Sequence, residues 1–596
     1  MIKQKKNFFK DGSFKTNVRV MISYRPGPNM KPKQKTIKNF GYLEDYEDQT
    51  AFWDEVNRTN DNALKGHDKD LLIVVPKRNK NNDNFNIEYN YGYYYLESIF
   101  KMLELDKFFD GIDSKCKYSL YDIFSFLVYQ RLLNPSSKRM TMRQIDKFYN
   151  KNYDFELHDI YRSLDQFSDC SVQLQAHIND KIKKIIGRDQ SYAFYDVTNY
   201  YFEKDFNGPK GTYPQKGVSK EHQLTPIVQF GLFMDSNNIP VAMKAYPGNT
   251  SDSITLQPSL LDIKKDFNLG RLIVVADKGM NSSSNIDFIV NNGDGYVVSQ
   301  TLKGYKGKRY QEVLFDEEGY IGDDDFRYKI FEEEYESSIN SKKKTIRKRK
   351  VLIYWSKEDA RFAKAKRQEK ILKAEKSLQN NAYSTSHANF VNNGLVTQYF
   401  VKKTGEQADS SVKSVDYDRF EEDEKYDGYF CIITSELDYD YKKILEVYHH
   451  LAYIEESFRI TKSDLETRPI YVTKDSHIDG HLLVCFVSLI LLRLIQYKMG
   501  KDKISAERIK KILNRCTCSK INDMVIHLNI VNGEYDYEKQ IIDDCKNSKL
   551  KLNKNEDQIR NDYIMLCNKF NVNFDYSYLK VNEFNKELKN IKYNIK

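Results

Sequence analysis

The sequence has few cysteines, and their positions disfavour two kinds of site. Eight cysteines are scattered over 596 residues, with no CxxC pair and no histidines at zinc-finger spacing near them. Cys516 and Cys518 form the closest pair, and chance explains this pair better than a set of metal ligands does. We therefore expect reduced thiols without a disulfide framework, as in a cytoplasmic protein.

The common nucleotide-binding and hydrolase motifs are absent as well. The chain contains no P-loop and no G-x-G-x-x-G motif. This absence disfavours an ATP-driven enzyme or a dinucleotide enzyme, and it predicts no nucleotide cofactor. Serines follow Asp277, but no G-x-S-x-G elbow and no paired histidine accompany them. A serine hydrolase is therefore disfavoured too.

Long hydrophobic runs are also missing. The most apolar stretch, Leu482–Leu492, is too short to span a bilayer and runs into Arg493. The N-terminal residues lack the continuous apolar segment of a signal peptide. The sequence predicts a cytoplasmic protein without a membrane segment.

Charge, in contrast, is abundant. Lysine and arginine number 94 against 85 acidic residues, which gives a formal net charge of +9, and 40% of the residues are hydrophobic. A basic balance permits a nucleic-acid partner but does not prove one. The length exceeds what one compact core supports, so we expect several domains.

Changes in residue pattern divide the chain into six predicted regions. A basic β-hairpin opens the chain, helix-period segments follow it, and strand patterns begin at Ser191. Charged runs then interrupt the strand-rich part. The predicted regions are a basic N-terminal β module at 1–88, a helical region at 89–188, the first part of an α/β core at 189–300, an insertion domain at 301–427, the second part of the core at 428–499 and a helical C-terminal region at 500–596.

The strand-rich part has a characteristic order. Three strands in meander order are followed by a helix, a fourth strand, a second helix and a fifth strand over Tyr192–Gln300. This order predicts an α/β fold with an RNase H-like core, a mixed five-stranded sheet with helices, although other two-layer α/β folds share much of the pattern. In this prediction an insertion domain interrupts the core, an N-terminal β-hairpin and helical region precedes it, and a helical tail follows it.

Two aspartates occupy unusual positions in this predicted sheet. Asp196 stands in the middle of YAFYDVTNYYF, where nearly every other residue is a strand former, and Asp277 ends the strand RLIVVAD. In this topology the two strands are adjacent, so both carboxylates converge near one edge of the sheet. Close carboxylates repel each other, which favours a bound cation, and oxygen-only ligands suit Mg²⁺ or Mn²⁺.

A third acidic residue belongs to a helix predicted over 440–465. Tyr448, Glu455 and Lys462 are two helical turns apart, so they project from one face with about 20° of drift per step. If this face meets the two aspartates, three acidic groups and a lysine share one site. Taken singly, an aspartate at a strand end is usually a turn or cap residue, and a Glu–Lys pair on a helix usually faces solvent. A metal site is favoured because three features occur together: the order of the acidic residues, their placement on two strands and one helix, and the seven-residue spacing on that helix.

These segments resemble the signature blocks of the DDE transposases of bacterial insertion sequences. The likeness lies in AFYDVTNYYF, IVVADKGMNS and YHHLAYIEESFRITK, and the third segment is similar to the Y-x2-R-x3-E-x6-K signature of one large superfamily. Two loops, KGVSKEHQLTPIVQFGL and YPGNTSDSITL, also resemble that group. The resemblance implies that Asp196, Asp277 and Glu455 form a catalytic, metal-binding triad.

The resemblance also implies residues that contact DNA. Tyr448 and Lys462 match signature positions that contact the DNA end. The signature arginine is replaced here by Leu451. Arg459, one turn after Glu455, is the candidate DNA-binding replacement.

A cut-and-paste DNA transposase is the function that the resemblance implies. Two Mg²⁺ ions held by the triad, for which Mn²⁺ substitutes, would activate water to cut at the element ends and align the freed 3′-hydroxyl for attack on target DNA. Basic segments would hold the phosphate backbone, and the region 1–188 would recognise the terminal inverted repeats. Relatives act as dimers on paired ends, which implies a homodimer on double-stranded DNA.

Two other functions stay open from the sequence. A metal-dependent nuclease of the same fold would cleave DNA without joining it. A transposase-derived DNA-binding protein without catalysis is the third hypothesis, and the intact triad argues against it. The lysines of Lys31–Lys38 and the basic run 342–350 are each open as DNA-contacting or merely solvated segments.

Overall fold

The structure is a computed structural model of the chain. It describes residues 2–594 apart from the segments 10–12, 25–30, 47, 66–86, 114–115, 189–190, 221–223, 268, 341–342, 380–395, 402–409, 416, 501–503, 523, 531–553 and 575–577. The predicted turn at 25–29 and the polar break predicted at 76–86 lie outside the described residues.

The described strands lie in three stretches of the chain, 2–90, 192–434 and 517–580. The described strands are β1 Ile2–Phe8, β2 Phe14–Tyr24, β3 Lys33–Tyr42, β4 Glu88–Asn90, β5 Tyr192–Tyr201, β6 Ile227–Met234, β7 Pro240–Pro247, β8 Ile273–Ala276, β9 Gly295–Ser299, β10 Ile321–Gly322, β11 Phe326–Asn340, β12 Lys343–Ser356, β13 Val396–Val401, β14 Ser410–Val415, β15 Tyr429–Thr434, β16 Thr517–Asn522, β17 Val525–Leu528 and β18 Tyr578–Lys580.

Helices surround these strands. The described α-helices are Gln49–Lys65, Tyr93–Met102, Leu105–Asp110, Leu120–Leu133, Lys138–Met142, Leu157–Asp169, Ser171–Ile186, Asp252–Phe267, Ser283–Asn291, Gly304–Phe315, Lys357–Gln379, Tyr417–Glu424, Tyr441–His449, Leu451–Arg459, Asp475–Met499, Ala506–Arg515, Lys554–Lys569 and Val581–Asn590. A π-helical turn, Ile460–Asp464, follows the helix that ends at Arg459.

The largest sheet is mixed, and its central strands are buried on both faces. It has nine strands in the order β10–β11–β12–β15–β9–β8–β5–β6–β7. β8 runs parallel to both β5 and β9, whereas β5, β6 and β7 form an antiparallel meander. Alternate residues of β8 belong to two different hydrophobic clusters, with Val275 in one and Val274 in the other. Helices therefore cover both faces of the sheet, as expected where parallel strands are present.

The predicted number of five strands is wrong. The five predicted strands, β5 to β9, are neighbours, but β15, β12, β11 and β10 extend the same sheet. β11 and β12 form a hairpin in which acidic residues oppose basic ones, such as Glu332 opposite Lys350 and Glu334 opposite Lys348. These charges concealed the strand pattern, because strands were predicted from hydrophobic alternation. The basic run from Lys343 onward is therefore part of a strand and not a loop.

One helix fills the centre of the larger hydrophobic cluster. Helix Asp475–Met499 packs against helices Leu157–Asp169 and Leu120–Leu133. By length and composition this helix is long enough to cross a membrane, and it is the one such helix in the described part of the chain. The expectation that the apolar segment is too short is therefore wrong. The protein buries 94% of its most apolar window. Core packing thus accounts for its apolar composition.

The C-terminal region is mixed, so the prediction of a helical tail is only partly right. β16, β17 and β18 form an antiparallel sheet with β4 in the order β18–β17–β16–β4. Cys518 of β16 pairs with Tyr89 of β4. These strands are short and partly polar, so they gave no periodic signal in the sequence.

The N-terminal hairpin is larger than predicted. β1, β2 and β3 form a three-stranded antiparallel sheet. Val18 and Val20 of β2 pack on Phe52 and Val56 of helix Gln49–Lys65. The lysines of β3 are exposed, so the sheet presents a basic face to solvent.

Candidate active site

Asp196 and Asp277 lie at the same level on adjacent strands. The parallel register of β5 and β8 pairs Phe194 with Val275. Carried two residues further, the same offset places Asp196 beside Asp277, just after β8 ends. Both side chains are half-buried. The strand adjacency predicted from the sequence is therefore present.

The surroundings of Asp196 oppose its negative charge. The pKa of this carboxyl is raised to about 7, chiefly by burial and also by the charge of Asp277, whereas the ammonium of Lys220 lowers it. The backbone N–H of Val197 donates a hydrogen bond of 2.7 Å to Asp196 Oδ1. The N–H of Gly279 donates one of 2.8 Å to Asp277 Oδ1. Two partly buried carboxylates, one of which raises the pKa of the other, form the electrostatic setting of a cation site.

The helix predicted over 440–465 is broken into three pieces. Helix Tyr441–His449 and helix Leu451–Arg459 meet at His450, and the π-helical turn Ile460–Asp464 follows. The first helix packs on β8 and β9, and the second packs on β5. The seven-residue spacing of the candidate residues therefore does not by itself decide where their side chains lie.

Tyr448 stands among the three acidic candidates. The pKa of its phenol is raised, first by burial and then by the charges of Asp277, Glu455 and Asp196. Ser299, at the end of β9, opposes this rise in the pKa of Tyr448. The charges of all three acidic candidates therefore act on the phenol of Tyr448.

Lys462 approaches Asp196 from the π-helical turn. The pKa of its ammonium is lowered to about 8, chiefly by burial and also by the charge of Lys220, while attraction to Asp196 opposes this shift. Two ammonium groups therefore lie near the same carboxylate. Positive charge next to the acidic pair suits a phosphate group bound at this place.

Two neighbouring glutamates have different surroundings. Glu456 forms an ion pair of 3.0 Å with the buried Arg493. Glu455 is exposed, and its charge acts on Tyr448. The two carboxylates therefore differ in their exposure and in the groups on which their charges act.

Leu451 stands in place of the signature arginine, and Arg459 is the candidate replacement. Both lie apart from the two aspartates. Leu451 is 8% exposed and packs in the larger hydrophobic cluster. Arg459 is exposed, and its guanidinium lies 3.9 Å from Glu456 and 4.0 Å from Asp464. The leucine therefore contributes to packing, and Arg459 faces acidic groups outside the triad.

Two residues of the site were not identified from the sequence. The ammonium of Lys220, in the loop before β6, donates to the backbone carbonyl of Val197 and forms an ion pair of 3.4 Å with Asp252. The charge of Asp252 also raises the pKa of Asp196. The loop around Lys220 resembles the same family, but it has no periodic pattern that would place the lysine beside β5.

The donor set suits a divalent cation that prefers oxygen ligands. Within the described ranges, no three acidic, histidine or cysteine side chains come close enough together to hold one metal ion. Glu455 therefore does not complete a three-ligand cage with the aspartates. Two carboxylates, supplemented by water and phosphate oxygens, still match the way proteins usually bind Mg²⁺. The raised pKa of Asp196, caused by burial and by Asp277, indicates negative charge that a cation would stabilise.

Two family models match the chain. Residues 2–70 match the N-terminal domain of the IS1634 family transposases, and residues 206–491 match the transposase DDE domain. The second match includes Asp277, Tyr448 and Glu455 and begins after Asp196. No curated protein is significantly similar to the chain.

Solved structures of transposases show a remote likeness. The piggyBac transposase synaptic complex with hairpin DNA is 7% identical, with a TM-score of 0.30 over 80% of this chain and 84% of that chain. The Mos1 transposase paired-end complex with left transposon end is 12% identical, with a TM-score of 0.14 over 43% of this chain and 69% of that chain. TM-scores this low support no conclusion about this chain.

Proposed function

Since the chain belongs to the DDE transposases of insertion sequences, we propose that it cuts DNA at the ends of its element and joins the freed 3′ ends to target DNA. The observation that carries this proposal is the placement of Asp196 level with Asp277 on adjacent parallel strands. The charges of both aspartates and of Glu455 also act on one phenol, that of Tyr448. Carboxylates gathered in this way are the donors that metal-assisted phosphoryl transfer needs.

Asp196, Asp277 and Glu455 are the proposed catalytic and metal-binding residues. A bound Mg²⁺, or Mn²⁺ in its place, would supply the charge that activates water and stabilises the attacking and leaving oxygens. Lys220 favours the ionised form of Asp196, which is the form that binds a cation. Glu455 is exposed, which leaves its carboxylate accessible to bound DNA.

Tyr448, Lys462 and Arg459 are the proposed contacts to the DNA end. The ammonium of Lys462 lies near Asp196, so it would neutralise a phosphate placed against the aspartates. The charges of both aspartates act on the phenol of Tyr448, so its hydroxyl would lie near the same phosphate. Contacts of this kind position the DNA backbone and carry no sequence information.

The remaining regions are assigned in the same proposal. The order β9–β8–β5–β6–β7, with its mixed directions, supports an RNase H-like core formed by 189–300 and 428–499. The exposed lysines of β3 support recognition of the terminal repeats by 1–188, in the modules 1–88 and 89–188. We further propose an insertion domain at 301–427, whose strands β10, β11 and β12 extend the core sheet, and a C-terminal region at 500–596. The proposal also includes a homodimer on paired double-stranded DNA ends and action in the cytoplasm without a nucleotide cofactor.

A strand-transfer assay tests the proposed reaction. Purified protein is incubated with Mg²⁺, target plasmid and DNA carrying the flanking inverted repeats, either intact or already cut. The variant Asp196→Asn is compared with Asp262→Asn, a control at an exposed aspartate that pairs with Lys244. We expect joined product from the wild type and the control, and only DNA binding from Asp196→Asn.

Other outcomes would favour the alternatives. Mg²⁺-dependent cleavage without joined product from precut ends would indicate a nuclease. Binding without chemistry in all three proteins would indicate a transposase-derived DNA-binding protein. Cleavage retained by Asp196→Asn would contradict the site assignment.

A further inference from the structure

A small cavity lined by basic side chains lies near the end of β5, apart from the site around Asp196. Its volume is about 50 Å³. Three cationic side chains, two serines and one glutamate contribute to its lining: Arg131, Lys138, Arg468, Ser136, Ser137 and Glu466. We call it the basic cavity.

Lys138 brings a buried ammonium to the basic cavity. Its side chain is 6% exposed, and its Nζ lies 3.3 Å from His481 Nδ1. His481 Nε2 lies 3.0 Å from the carbonyl oxygen of Thr467, so this nitrogen carries the ring hydrogen and donates it. Nδ1 is therefore the acceptor for Lys138. An ammonium has three hydrogens, and the imidazole takes one of them.

Arg131 adds a second buried positive charge. It is 5% exposed, and its guanidinium donates to the backbone carbonyls of Glu466, at 3.2 Å, and Ser136, at 3.1 Å. These carbonyl partners orient the guanidinium without neutralising its charge. The pKa of Lys138 is lowered to about 7, chiefly by burial and also by the charge of Arg131. The lowered pKa shows that these surroundings disfavour the charged form of Lys138, which a bound anion would favour.

Arg468 connects the basic cavity with the catalytic sheet. Its guanidinium lies 5.4 Å from the ring centre of Tyr201, the last residue of β5. Five residues along a strand separate Tyr201 from Asp196, which corresponds to about 16 Å. The same distance spans about five base pairs of B-form DNA.

We propose that the basic cavity binds a phosphate group. Three cations and two hydroxyls around one small space match the charge and the hydrogen-bonding capacity of a phosphate. A cavity of about 50 Å³ is large enough for a phosphate group, because one water molecule needs only about 10–15 Å³ of such cavity volume. The source of the phosphate rests on the proposed function: it is the backbone of bound DNA, about five base pairs from the phosphate that lies at Asp196.

Duplex binding tests the DNA assignment. The affinity of the full-length wild type for a 30-bp fluorescent duplex is measured by anisotropy between 50 and 200 mM KCl, without Mg²⁺, beside Lys138→Met and Lys183→Met. Lys183 is an exposed lysine on helix Ser171–Ile186 and serves as the control for loss of one charge. We expect about tenfold weaker binding by Lys138→Met at 50 mM KCl. Its log–log salt slope should be smaller by about 0.9, and the control should resemble the wild type.

Inorganic phosphate tests the cavity without DNA. Thermal unfolding is followed in sodium phosphate and in sodium chloride of the same ionic strength. We expect phosphate to raise the unfolding temperature of the wild type and of Lys183→Met, but not that of Lys138→Met. Because Lys138 is buried, Arg468→Met at the half-buried rim serves as a second variant, with the same expected losses.

The outcomes separate this proposal from the proposed function. Duplex affinity and phosphate stabilisation that are both unchanged in the folded variants would overturn the proposal. Phosphate stabilisation that depends on Lys138 while duplex binding does not would overturn the DNA assignment and identify a site for free phosphate. Loss of duplex binding in Lys138→Met, in a protein that neither cuts nor joins DNA, would support the cavity and refute the transposase reaction.

Discussion

Glu455 and Glu456 are neighbours in the chain, yet their carboxylates act in different parts of the protein. Glu456 lies 3.0 Å from the buried Arg493 and anchors its helix to helix Asp475–Met499. Glu455 is exposed, and its charge acts on Tyr448 beside the two aspartates. One glutamate therefore stabilises the fold, and the other is available for chemistry.

Substituting each glutamate should separate catalysis from stability. We expect Glu455→Gln to lose DNA cleavage by about 100-fold or more while its free energy of unfolding changes by less than about 0.5 kcal/mol. Glu456→Gln should keep cleavage but lose about 1–3 kcal/mol, because Arg493 loses its charged partner. Urea unfolding and a cleavage assay at low temperature measure the two effects. The reverse pattern would show that Glu456 is the catalytic residue.

Restoring the signature arginine should destabilise the protein. Leu451 is 8% exposed among apolar side chains, so Leu451→Arg buries a charge without a partner. We expect a loss of about 3 kcal/mol or more of unfolding free energy, against less than about 1.5 kcal/mol for the control Leu451→Met. Urea midpoints measure both. A stable Leu451→Arg that binds DNA ends more tightly would show that this position reaches DNA.

Lys462 should contribute more to DNA-end chemistry than Arg459 does. Lys462 lies near Asp196, whereas Arg459 is paired with Glu456 and Asp464. We expect Lys462→Met to reduce cleavage under subsaturating DNA by about 10-fold or more, and Arg459→Met to reduce it less. Initial rates at several DNA concentrations measure the difference. A larger loss in Arg459→Met would support its role as the replacement for the signature arginine.

Metal binding should be visible without any DNA. Protein freed of metal with a chelator should unfold at a higher temperature as Mg²⁺ or Mn²⁺ is added, with about 2.7 kcal/mol gained at 100 times the dissociation constant. Asp277→Asn should lose this stabilisation because a carboxylate ligand is removed, and the exposed control Asp262→Asn should keep it. An identical response in Asp277→Asn and the wild type would exclude Asp277 as a ligand.

Asp479 should make the protein less stable as the pH rises. This half-buried carboxyl accepts hydrogen bonds from Tyr213, at 3.3 Å, and Ser168, at 3.4 Å, and burial raises its pKa from 3.8 to about 6. The folded protein therefore holds this proton more tightly than the unfolded chain does. The stabilisation is complete below about pH 4 and is lost as the pH rises to about 6.

The variant Asp479→Asn should remove this part of the pH dependence. We expect the difference in unfolding free energy between pH 4.5 and pH 7 to shrink by about 1–3 kcal/mol relative to the wild type, since two pKa units correspond to at most about 3 kcal/mol. Urea unfolding at both values measures it, with Asp262→Asn as the control. An unchanged pH dependence would show that Asp479 titrates normally.

Several features could be predicted because they depend on local pattern. The aspartate within a run of strand formers predicted Asp196 as a special residue of a strand, and the strand is present as β5. The order of strands and helices predicted that β5 and β8 are neighbours, which the parallel pairing confirms. These features could be predicted because runs of strand-forming residues and the order of segments can be recognised in the sequence itself.

Other features could not be predicted because they join distant segments. The charged hairpin of β11 and β12 extends the main sheet, although its own residues look like solvated loops. Lys220 returns to β5 from a loop without periodic pattern, and it modifies the pKa of Asp196 from there. Neither contact can be predicted from the sequence of one segment alone.

The sequence by itself determined that the chain carries a strand-borne aspartate, a second one at a strand end, and a helical Tyr/Glu/Lys series, because residue type and spacing are local. Only the tertiary structure decided that Glu456 pairs with Arg493, that Leu451 belongs to the core, and that Arg131, Lys138 and Arg468 line one cavity. The physical reason is that the burial and the electrostatic environment of a site depend on neighbours from many segments. Only folding brings those segments together.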